Sequence, residues 1–295
     1  MAAKFPQKAM AYFLLAPTIL ICLLFLYYPT GRTVSLTFYK VAFFGLKKIY
    51  VGSDNFKELF TSADYLQSVL VSFIFTGASI VLSMTISLVL AILLNQKVRG
   101  IGIYVIAIIW PYTLSFAVAG TIWSYLFNPA VGMINYLLES LFRIKPDWIS
   151  IGPLALIMII VTTTWKSLGY NVIFFLAALQ HIPRELLEAA NVDGANDLQR
   201  FWKIILPLLT PTIFFLLVMN SIHCFFTSYG MISIMTEGGP AGATNIMVYK
   251  LVHDGFNMFK TGYASAQSLI LFVIVVAFTL IQFRVAGRRV HYGGA

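Results

Sequence analysis

The chain has 295 residues, of which 59% are hydrophobic and 11% charged, and its formal net charge is +9. A soluble domain carries about 25% charged residues, and a fold of this size cannot bury so much apolar surface. The composition therefore excludes an ordinary soluble domain and predicts an integral membrane protein. The positive charge is typical of basic flanks that face anionic lipid. No basic run with interleaved aromatic residues occurs, so we expect no nucleic-acid partner.

The first apolar run, residues 9–31, follows Lys4 and Lys8 and contains no charged residue. A secretory signal peptide has a shorter apolar core and a small-residue cleavage site. This run ends instead in LYYPTG. We therefore predict a retained first span at residues 10–28.

Five further apolar segments approach or exceed the 20 or so residues that a helix needs to cross a bilayer. They lie within residues 65–96, within 100–127, and at about 154–180, 207–231 and 264–283. Lipid offers no partner to an unpaired backbone group, so each span must be helical. The sequence thus predicts an all-α, polytopic membrane bundle with six transmembrane helices. We expect a single transmembrane domain over residues 1–295, with its core at about 65–285.

The Lys and Arg residues outside the spans give only a weak indication of orientation, because ten lie on one side and nine on the other. The orientation is instead inferred from the short loop LNQKVRG and the tail RVAGRRV, since each is basic, lacks acidic residues and adjoins a span. Both termini are therefore predicted to be cytoplasmic. Segments 29–64, 128–150 and 232–262 would then lie outside.

Lys166 is the only charged residue inside a predicted span, and a charge at that depth is costly enough to suggest a function. Tyr170 lies one turn further on the same face. In the fifth span, Asn220, Cys224 and Thr227 share a stripe at i, i+4 and i+7, with His223 beside them. The structural alternatives for Lys166 are snorkelling toward an interface, which its depth in the span makes difficult, and pairing with a neighbouring chain. The structural alternative for the stripe is interhelical hydrogen bonding.

The segment ELLEAANVDGANDLQRFWKIILP, residues 185–207, concentrates charge between the fourth and fifth spans. Pro183 suits a first helical turn, and Gly194 suits a helix end. Asn196 and Gln199 have the spacing of a capping box for a second helix. This pattern predicts a helix–turn–helix at 183–207. It fits either an amphipathic loop on the membrane surface or a docking element for a cytoplasmic partner.

Several chemistries find no support in the sequence. The two cysteines, Cys22 and Cys224, have no ligand-like neighbours and indicate neither a disulfide nor a zinc site. His181 and His253 likewise lack a second metal ligand at helical spacing. No GxxxxGK[ST] phosphate loop occurs. We expect no cofactor or metal in this chain and no enzymatic activity, because a membrane enzyme would need clustered His, Asp or Glu at the midplane.

The order Glu188-Ala189-Ala190, Gly194 and then Ile204-Ile205-Leu206-Pro207 resembles the EAA signature of permease subunits of bacterial ATP-binding-cassette importers. The stretches FFLAALQHIPRELLEAANVDGA and TEGGPAGATNIMVYKLVHDGF are similar to the carbohydrate-uptake branch, which includes the maltose permeases. Within that branch the chain most resembles the A-type permeases of sn-glycerol-3-phosphate importers. The resemblance covers nearly the whole chain, although the first 60 residues are less distinctive.

The resemblance implies a coupling helix that docks in a groove of a separate ATPase subunit. Its residues would be Glu185, Glu188, Ala189, Ala190, Asp193 and Gly194. ATP and Mg would then be bound by the partner ATPase. The expected partners are a second homologous permease, two ATPase subunits and an external solute-binding protein, in a bacterial inner membrane.

The same resemblance places solute contacts at Ser167 and Tyr170 and at Asn220, Cys224 and Thr227, with Lys166 and His223 in the same patch. A cation there suits a phosphate oxygen. We therefore expect an anionic solute, a small phosphorylated polyol such as sn-glycerol-3-phosphate or its phosphodiesters. The alternatives are import of a neutral sugar or oligosaccharide, and a stand-alone secondary transporter. The last would need inverted repeats and intramembrane acids for ion coupling.

Overall fold

The computed structural model describes residues 8–42, 47–96 and 100–286. The chain divides into two compact units, one formed by Met1–Ser62 with Leu251–Ile270 and the other by Ala63–Lys250 with Leu271–Ala295. The described residues are almost entirely helical, as predicted. The expectation of a single domain stays a prediction.

The first unit begins with a long apolar helical segment. None of the residues in its most apolar stretch of 18 is buried. It consists of α1 (Lys8–Cys22), a wider π-helical turn (Leu23–Tyr27) and α2 (Tyr28–Leu36). The span therefore runs past the predicted end at residue 28. Pro29 does not stop the helix, because it lies in the first turn of α2, where its missing N–H costs little.

A two-stranded hairpin follows α2 and is absent from the sequence-based prediction. Strands β1 (Tyr39–Ala42) and β2 (Lys47–Tyr50) pair antiparallel, with Tyr39 opposite Tyr50 and Val41 opposite Lys48. Helix α3 (Asp54–Thr61) comes next. The buried Asn55 amide donates to the Thr37 and Tyr39 carbonyls, at 2.7 and 3.2 Å. This side chain therefore fixes α3 against the start of the hairpin.

The second unit contains two long unbroken spans, α4 (Ala63–Leu94) and α8 (Gly152–Gln180). They agree with the predicted second and fourth spans. The face of α4 that is buried carries small polar residues, namely Ser68, Ser72, Thr76, Ser79, Ser83 and Ser87. Small side chains allow neighbouring helices to approach closely within a membrane. The last long helix, α15 (Thr261–Ala286), continues from the first unit into the second.

Two of the predicted spans are broken rather than straight. The third consists of α5 (Ile101–Thr113) and α6 (Phe116–Leu126), bent by 105°. Pro111 and the α6 N-cap Ser115, whose hydroxyl accepts from the Val118 N–H at 3.2 Å, mark this break. The second bent pair, Asp197–Leu208 with Thr210–Phe226, has an angle of 65°. Its break therefore lies at the start of the predicted fifth span, and its first half belongs to the segment predicted as a helix–turn–helix. Counting each bent pair as one span gives up to six, as predicted.

Shorter elements complete the second unit. They are α7 (Met133–Phe142), α9 (Arg184–Val192), α10 (Asp197–Arg200), a π-helical turn (Phe201–Ile205), α11 (Leu206–Leu208), α12 (Thr210–Phe226), α13 (Tyr229–Met235) and α14 (Met247–Val252), the last of which crosses into the first unit. A further π-helical turn, His253–Asn257, follows α14 in the first unit. The predicted fifth span therefore ends at Phe226 rather than at residue 231, because the chain leaves the helix at Thr227 and Ser228.

Candidate functional site

A cavity of about 410 Å³ lies where α8 and α12 face the break between α5 and α6. The lining residues are Tyr112, Phe116, Thr163, Lys166, Ser167, Tyr170, Asn220, His223, Cys224 and Ser228. Six of the seven residues predicted for the solute pathway thus meet around one cavity.

Thr227 is the predicted pathway residue that does not line the cavity. It is exposed, and its hydroxyl donates to the His223 carbonyl at 2.6 Å. The reason is local, because α12 ends at Phe226 and the i+7 spacing no longer applies to the next residue. Ser228 takes its place in the lining.

Lys166 is 5% exposed, and its ammonium bridges α8 to the helix break. It donates to the carbonyls of Tyr112 at 3.1 Å and Leu114 at 2.6 Å. A helix end leaves carbonyls without intrahelical partners, so Lys166 caps the C-terminus of α5. An ammonium has three donors, and two are used here.

Gly169 sets the distance between α8 and α5. A Cβ atom at this position would lie 2.7 Å from both the Ile108 carbonyl oxygen and the Ile109 Cα. Only glycine allows the two backbones to approach this closely. The close approach lies one helical turn from Lys166 and keeps the ammonium within reach of the α5 carbonyls.

Aromatic rings surround the ammonium. The Lys166 Nζ lies 4.6 Å from the Phe116 ring centroid and 5.5 Å from that of Tyr112, within the range of cation–π attraction. Tyr112 stacks on Tyr170 with centroids 5.4 Å apart. None of the residues lining the cavity is a carboxylate. The positive charge is therefore stabilised by carbonyls and rings rather than by a counter-ion.

The remaining polar groups of the lining present mainly acceptors. Asn220 donates both amide hydrogens inward, to Asn171 Oδ1 at 2.8 Å and to the Leu216 carbonyl at 2.7 Å. The Ser167 hydroxyl donates to the Thr163 carbonyl at 2.9 Å, and that of Ser228 to the Cys224 carbonyl at 3.2 Å. Their oxygens remain able to accept hydrogen bonds from a solute that carries hydroxyl groups.

Four lining residues were missed at the sequence level: Tyr112, Phe116, Thr163 and Ser228. Thr163 precedes Lys166 by three positions within α8, so helical spacing could have suggested it. Ser228 lies beyond the end of α12, where helical spacing no longer applies. Tyr112 and Phe116 carry no such signal. They reach the cavity only because the third span bends at residues between them.

The predicted coupling residues lie on and just after α9. Glu185, Glu188, Ala189, Asp193 and Gly194 are exposed, and Ala190 is buried. Gly194 has a φ of +77° and ends the turn, as its residue type predicts. The predicted capping box is also present, with Asn196 Oδ1 accepting from the Gln199 N–H at 2.8 Å and Gln199 Oε1 from the Asn196 N–H at 3.0 Å.

An apolar cluster connects the base of this segment with the cavity. Its buried residues are Ala91, Phe175, Leu179, Leu209 and Leu216. Ile182 and Ile205, which flank the α9–α10 segment, pack against the cluster, as does Tyr170 of the cavity. Close-packed interiors transmit displacement rather than absorbing it.

Comparisons with known proteins agree with this architecture. Residues 66–291 match the family of binding-protein-dependent transport system inner membrane components. The chain is 43% identical over 288 residues to the sn-glycerol-3-phosphate transport system permease protein UgpA of Brucella abortus, covering 98% of each protein. It is 37% identical to the protein of the same name from Pectobacterium atrosepticum, covering 98% of this chain and 97% of the relative.

Solved structures show the same fold. A bacterial ABC transporter involved in the import of the acidic polysaccharide alginate contains a chain with a TM-score of 0.81 and 23% identity, covering 95% of each chain. The alginate transporter in complex with its alginate pentasaccharide-bound periplasmic protein gives a TM-score of 0.84 at 22% identity, covering 97% of this chain and 96% of the other. The chain belongs to the family of binding-protein-dependent transport system inner membrane components and is a multi-pass permease subunit of an ATP-binding-cassette importer.

Proposed function

We propose that this permease carries a small phosphorylated polyol, sn-glycerol-3-phosphate or one of its phosphodiesters, across the bacterial inner membrane. The observation that carries the proposal is the Lys166 ammonium, which faces the cavity with two donors bound to carbonyls and a third donor left over. Relatives that are 37–43% identical are named for sn-glycerol-3-phosphate transport, which supports the same solute.

The lining suits the two ends of such a solute. A phosphate oxygen accepts from an ammonium in a charge-assisted hydrogen bond, which is about twice as strong as a neutral one. Hydroxyl groups at the other end can donate to Asn220 Oδ1 and to the Ser167 and Ser228 oxygens, whose own hydrogens are already used. A neutral sugar would leave the third donor of the buried ammonium without an anionic partner.

Transport requires partner subunits in this proposal. The exposed carboxylates Glu185 and Glu188 and the surface around Gly194 dock in a groove of an ATPase, which binds ATP and Mg and hydrolyses the nucleotide. Two such ATPases act with this chain and a second homologous permease, and an external binding protein delivers the solute. Both termini are cytoplasmic. Movement of α9 reaches the cavity through the apolar cluster at its base, and the spans alternate between inward-facing and outward-facing states.

The proposed identity of the solute is tested by replacing Lys166 in the assembled importer. Uptake of radiolabelled sn-glycerol-3-phosphate is measured in proteoliposomes for Lys166→Ala and Lys166→Arg, with maltose as a neutral solute. Lys57→Ala is the charge control, because Lys57 is exposed on α3 and lies outside both the cavity and the α9–α10 segment. We expect Lys166→Ala to lower phosphate-ester uptake by about tenfold or more, the loss of one charge-assisted hydrogen bond. Lys166→Arg should retain part of the phosphate-ester uptake.

Two outcomes would contradict the proposal. Unchanged phosphate-ester uptake by Lys166→Ala would show that Lys166 does not form an anion site. Maltose uptake by the native importer, at a rate similar to that of the phosphate ester, would favour the neutral-sugar alternative. The thermal midpoint of each variant is recorded as well, because Lys166 also caps α5 and its loss can destabilise the break.

A further inference from the structure

A second cavity lies in the first unit, at the end of the first span that is remote from the N-terminus. It has about 450 Å³ of empty space and is lined by Arg32, Ser35, Leu36, Tyr39 and Lys48. The residues belong to two elements, α2 and the β1–β2 hairpin, that the solute pathway does not use. Residues 32–57 contain five Lys and Arg residues, and the importer mechanism leaves this segment without a role.

The geometry of both elements explains why these side chains converge. Arg32, Ser35 and Leu36 lie at i, i+3 and i+4 and so share one face of α2. In the hairpin, Tyr39 pairs with Tyr50 and Val41 with Lys48. Directly paired residues lie on the same face of a sheet, so Lys48 shares a face with Tyr39. Lys47 pairs with Ala42 and points to the opposite face.

Several contacts hold the frame around the cavity together. Asn55 donates to the carbonyls of Thr37 and Tyr39, and Tyr39 packs edge-on against Tyr50 with ring centroids 5.4 Å apart. At Gly262, an added Cβ atom would collide with the Tyr39 carbonyl oxygen. The start of α15 therefore touches the backbone at the root of the hairpin. A preorganised site loses less entropy when a ligand binds.

The two cations of this cavity have no counter-ion within the part of the chain that the structure describes. Nearby lysines do have partners, since Lys40 lies 3.9 Å from Glu58 and Lys57 lies 3.2 Å from Asp54. Arg32 and Lys48 have none within ion-pair distance among those residues. Together with the Ser35 hydroxyl they offer a set of donors that fits the oxygens of a phosphate group.

The position of the cavity along the span favours a lipid as the source of that phosphate. Tyr27 and Tyr28 are 64% and 62% exposed, and exposed tyrosines on a span mark the headgroup level of the bilayer. Arg32 follows Tyr28 by one turn. We propose that Arg32, Ser35 and Lys48 bind the phosphate of an anionic phospholipid headgroup at the membrane face opposite the N-terminus.

The test uses the complete importer in phosphatidylcholine nanodiscs that contain increasing fractions of phosphatidylglycerol. Native mass spectrometry counts the phosphatidylglycerol retained by the native complex and by Arg32→Gln, Lys48→Gln and Lys47→Gln. Lys47→Gln is the matched control, because it removes the same charge from the adjacent residue on the other face of the strand. We expect Arg32→Gln and Lys48→Gln each to raise the half-saturating fraction about fivefold, and Lys47→Gln to leave it nearly unchanged.

A second arm identifies the source of the phosphate. Radiolabelled sn-glycerol-3-phosphate is titrated into the same complexes in pure phosphatidylcholine, where binding should be equal for the native importer and Lys48→Gln. If Lys48→Gln bound sn-glycerol-3-phosphate more weakly than the native importer but retained as much phosphatidylglycerol, the ligand would be a free phosphate ester. That result would overturn the lipid assignment. Equal lipid retention by all four proteins, or equal losses for Lys47→Gln and Lys48→Gln, would overturn the site itself. Lys166 is intact in each variant, so neither result depends on the proposed solute.

Discussion

Lys166 shows how much of a residue's role depends on contacts that its sequence neighbours do not reveal. Its position within an apolar span predicted a function, and the structure places it at the cavity. Its two carbonyl partners belong to Tyr112 and Leu114, more than 50 positions earlier, with separations of 54 and 52. No helical period links residues so far apart. Only the bend of the third span and the close approach at Gly169 bring them together.

Gly169→Ala tests this close approach at the level of one methyl group. The added Cβ would lie 2.7 Å from backbone atoms of Ile108 and Ile109, and overpacking of this kind costs about 1–3 kcal/mol. We expect a lower midpoint of thermal unfolding in detergent and weaker solute uptake.

Gly77→Ala is the control for this change. It also lies inside a spanning helix, but no atom is found within 4 Å of the added Cβ. The midpoint should stay the same or rise, because alanine has the higher helix propensity. If the two variants unfolded at equal temperatures, the approach of α5 to α8 would not be limited by Gly169.

The two cysteines allow the cavity to be probed directly. Cys224 lines the cavity and is 5% exposed, whereas Cys22 lies in α1. In a Cys22→Ser importer, we expect a small methanethiosulfonate reagent to label Cys224 slowly. Saturating sn-glycerol-3-phosphate should slow the labelling further, since solute would cover the thiol. In Cys224→Ser, labelling of Cys22 should not respond to solute, and an equal response of both thiols would contradict a solute site at Cys224.

At the level of elements, spacing and residue type predicted the α9–α10 segment well. Gly194 and the Asn196–Gln199 capping box appear as expected, because a left-handed residue and a cap are local properties. The breaks in the third and fifth spans were not predicted. A proline such as Pro111 permits a bend without determining its size, and the angle of 105° depends on what packs against each half. The β1–β2 hairpin was missed too, since two strands of four residues give little periodic signal.

Gly194→Ala tests whether α9 couples to an ATPase. Alanine disfavours a φ of +77°, so the turn after α9 would shift and the docking surface would change. We expect solute-stimulated ATP hydrolysis by the complete importer to fall several-fold, with basal hydrolysis retained, and Glu188→Ala to act in the same direction.

Gly100→Ala is a matched control for this turn, because Gly100 has a φ of +75° and open space around it, as Gly194 does. Its backbone strain is therefore the same, yet it lies outside the EAA segment. Equal loss of coupling in both variants would assign the effect to general strain. Normal coupling in Gly194→Ala, with normal assembly, would exclude the proposed role of this turn.

At the scale of the whole molecule, composition predicted a membrane protein, and the apolar segments predicted six spans. The structure contains up to six, and the family is one of inner-membrane transport components. The larger assembly cannot be read from one chain. Many apolar side chains of the broken third span are exposed, including Ile103, Ile106 and Tyr125 at 75%, 69% and 73%. Lipid or a second permease can cover such a surface equally well, because both are apolar.

Reconstitution of this chain without and with its expected partners tests whether it transports solute on its own. Proteoliposomes with this chain alone should show no solute uptake with ATP supplied inside, because its sequence contains no GxxxxGK[ST] phosphate loop. Addition of the second permease, the ATPases and the binding protein should restore uptake. Uptake driven by an ion gradient in the absence of ATP would instead favour a stand-alone secondary transporter.

The way in which Lys166 is stabilised has a consequence for the membrane that contains this protein. A buried ammonium held by carbonyls and aromatic rings has no paired carboxylate to cancel its positive charge. A fixed positive charge in a narrow passage raises the energy of any cation that enters. The residue that attracts an anionic solute would therefore also repel sodium ions and hydronium. Such a barrier would allow the importer to open toward either side without discharging the ion gradients across the membrane.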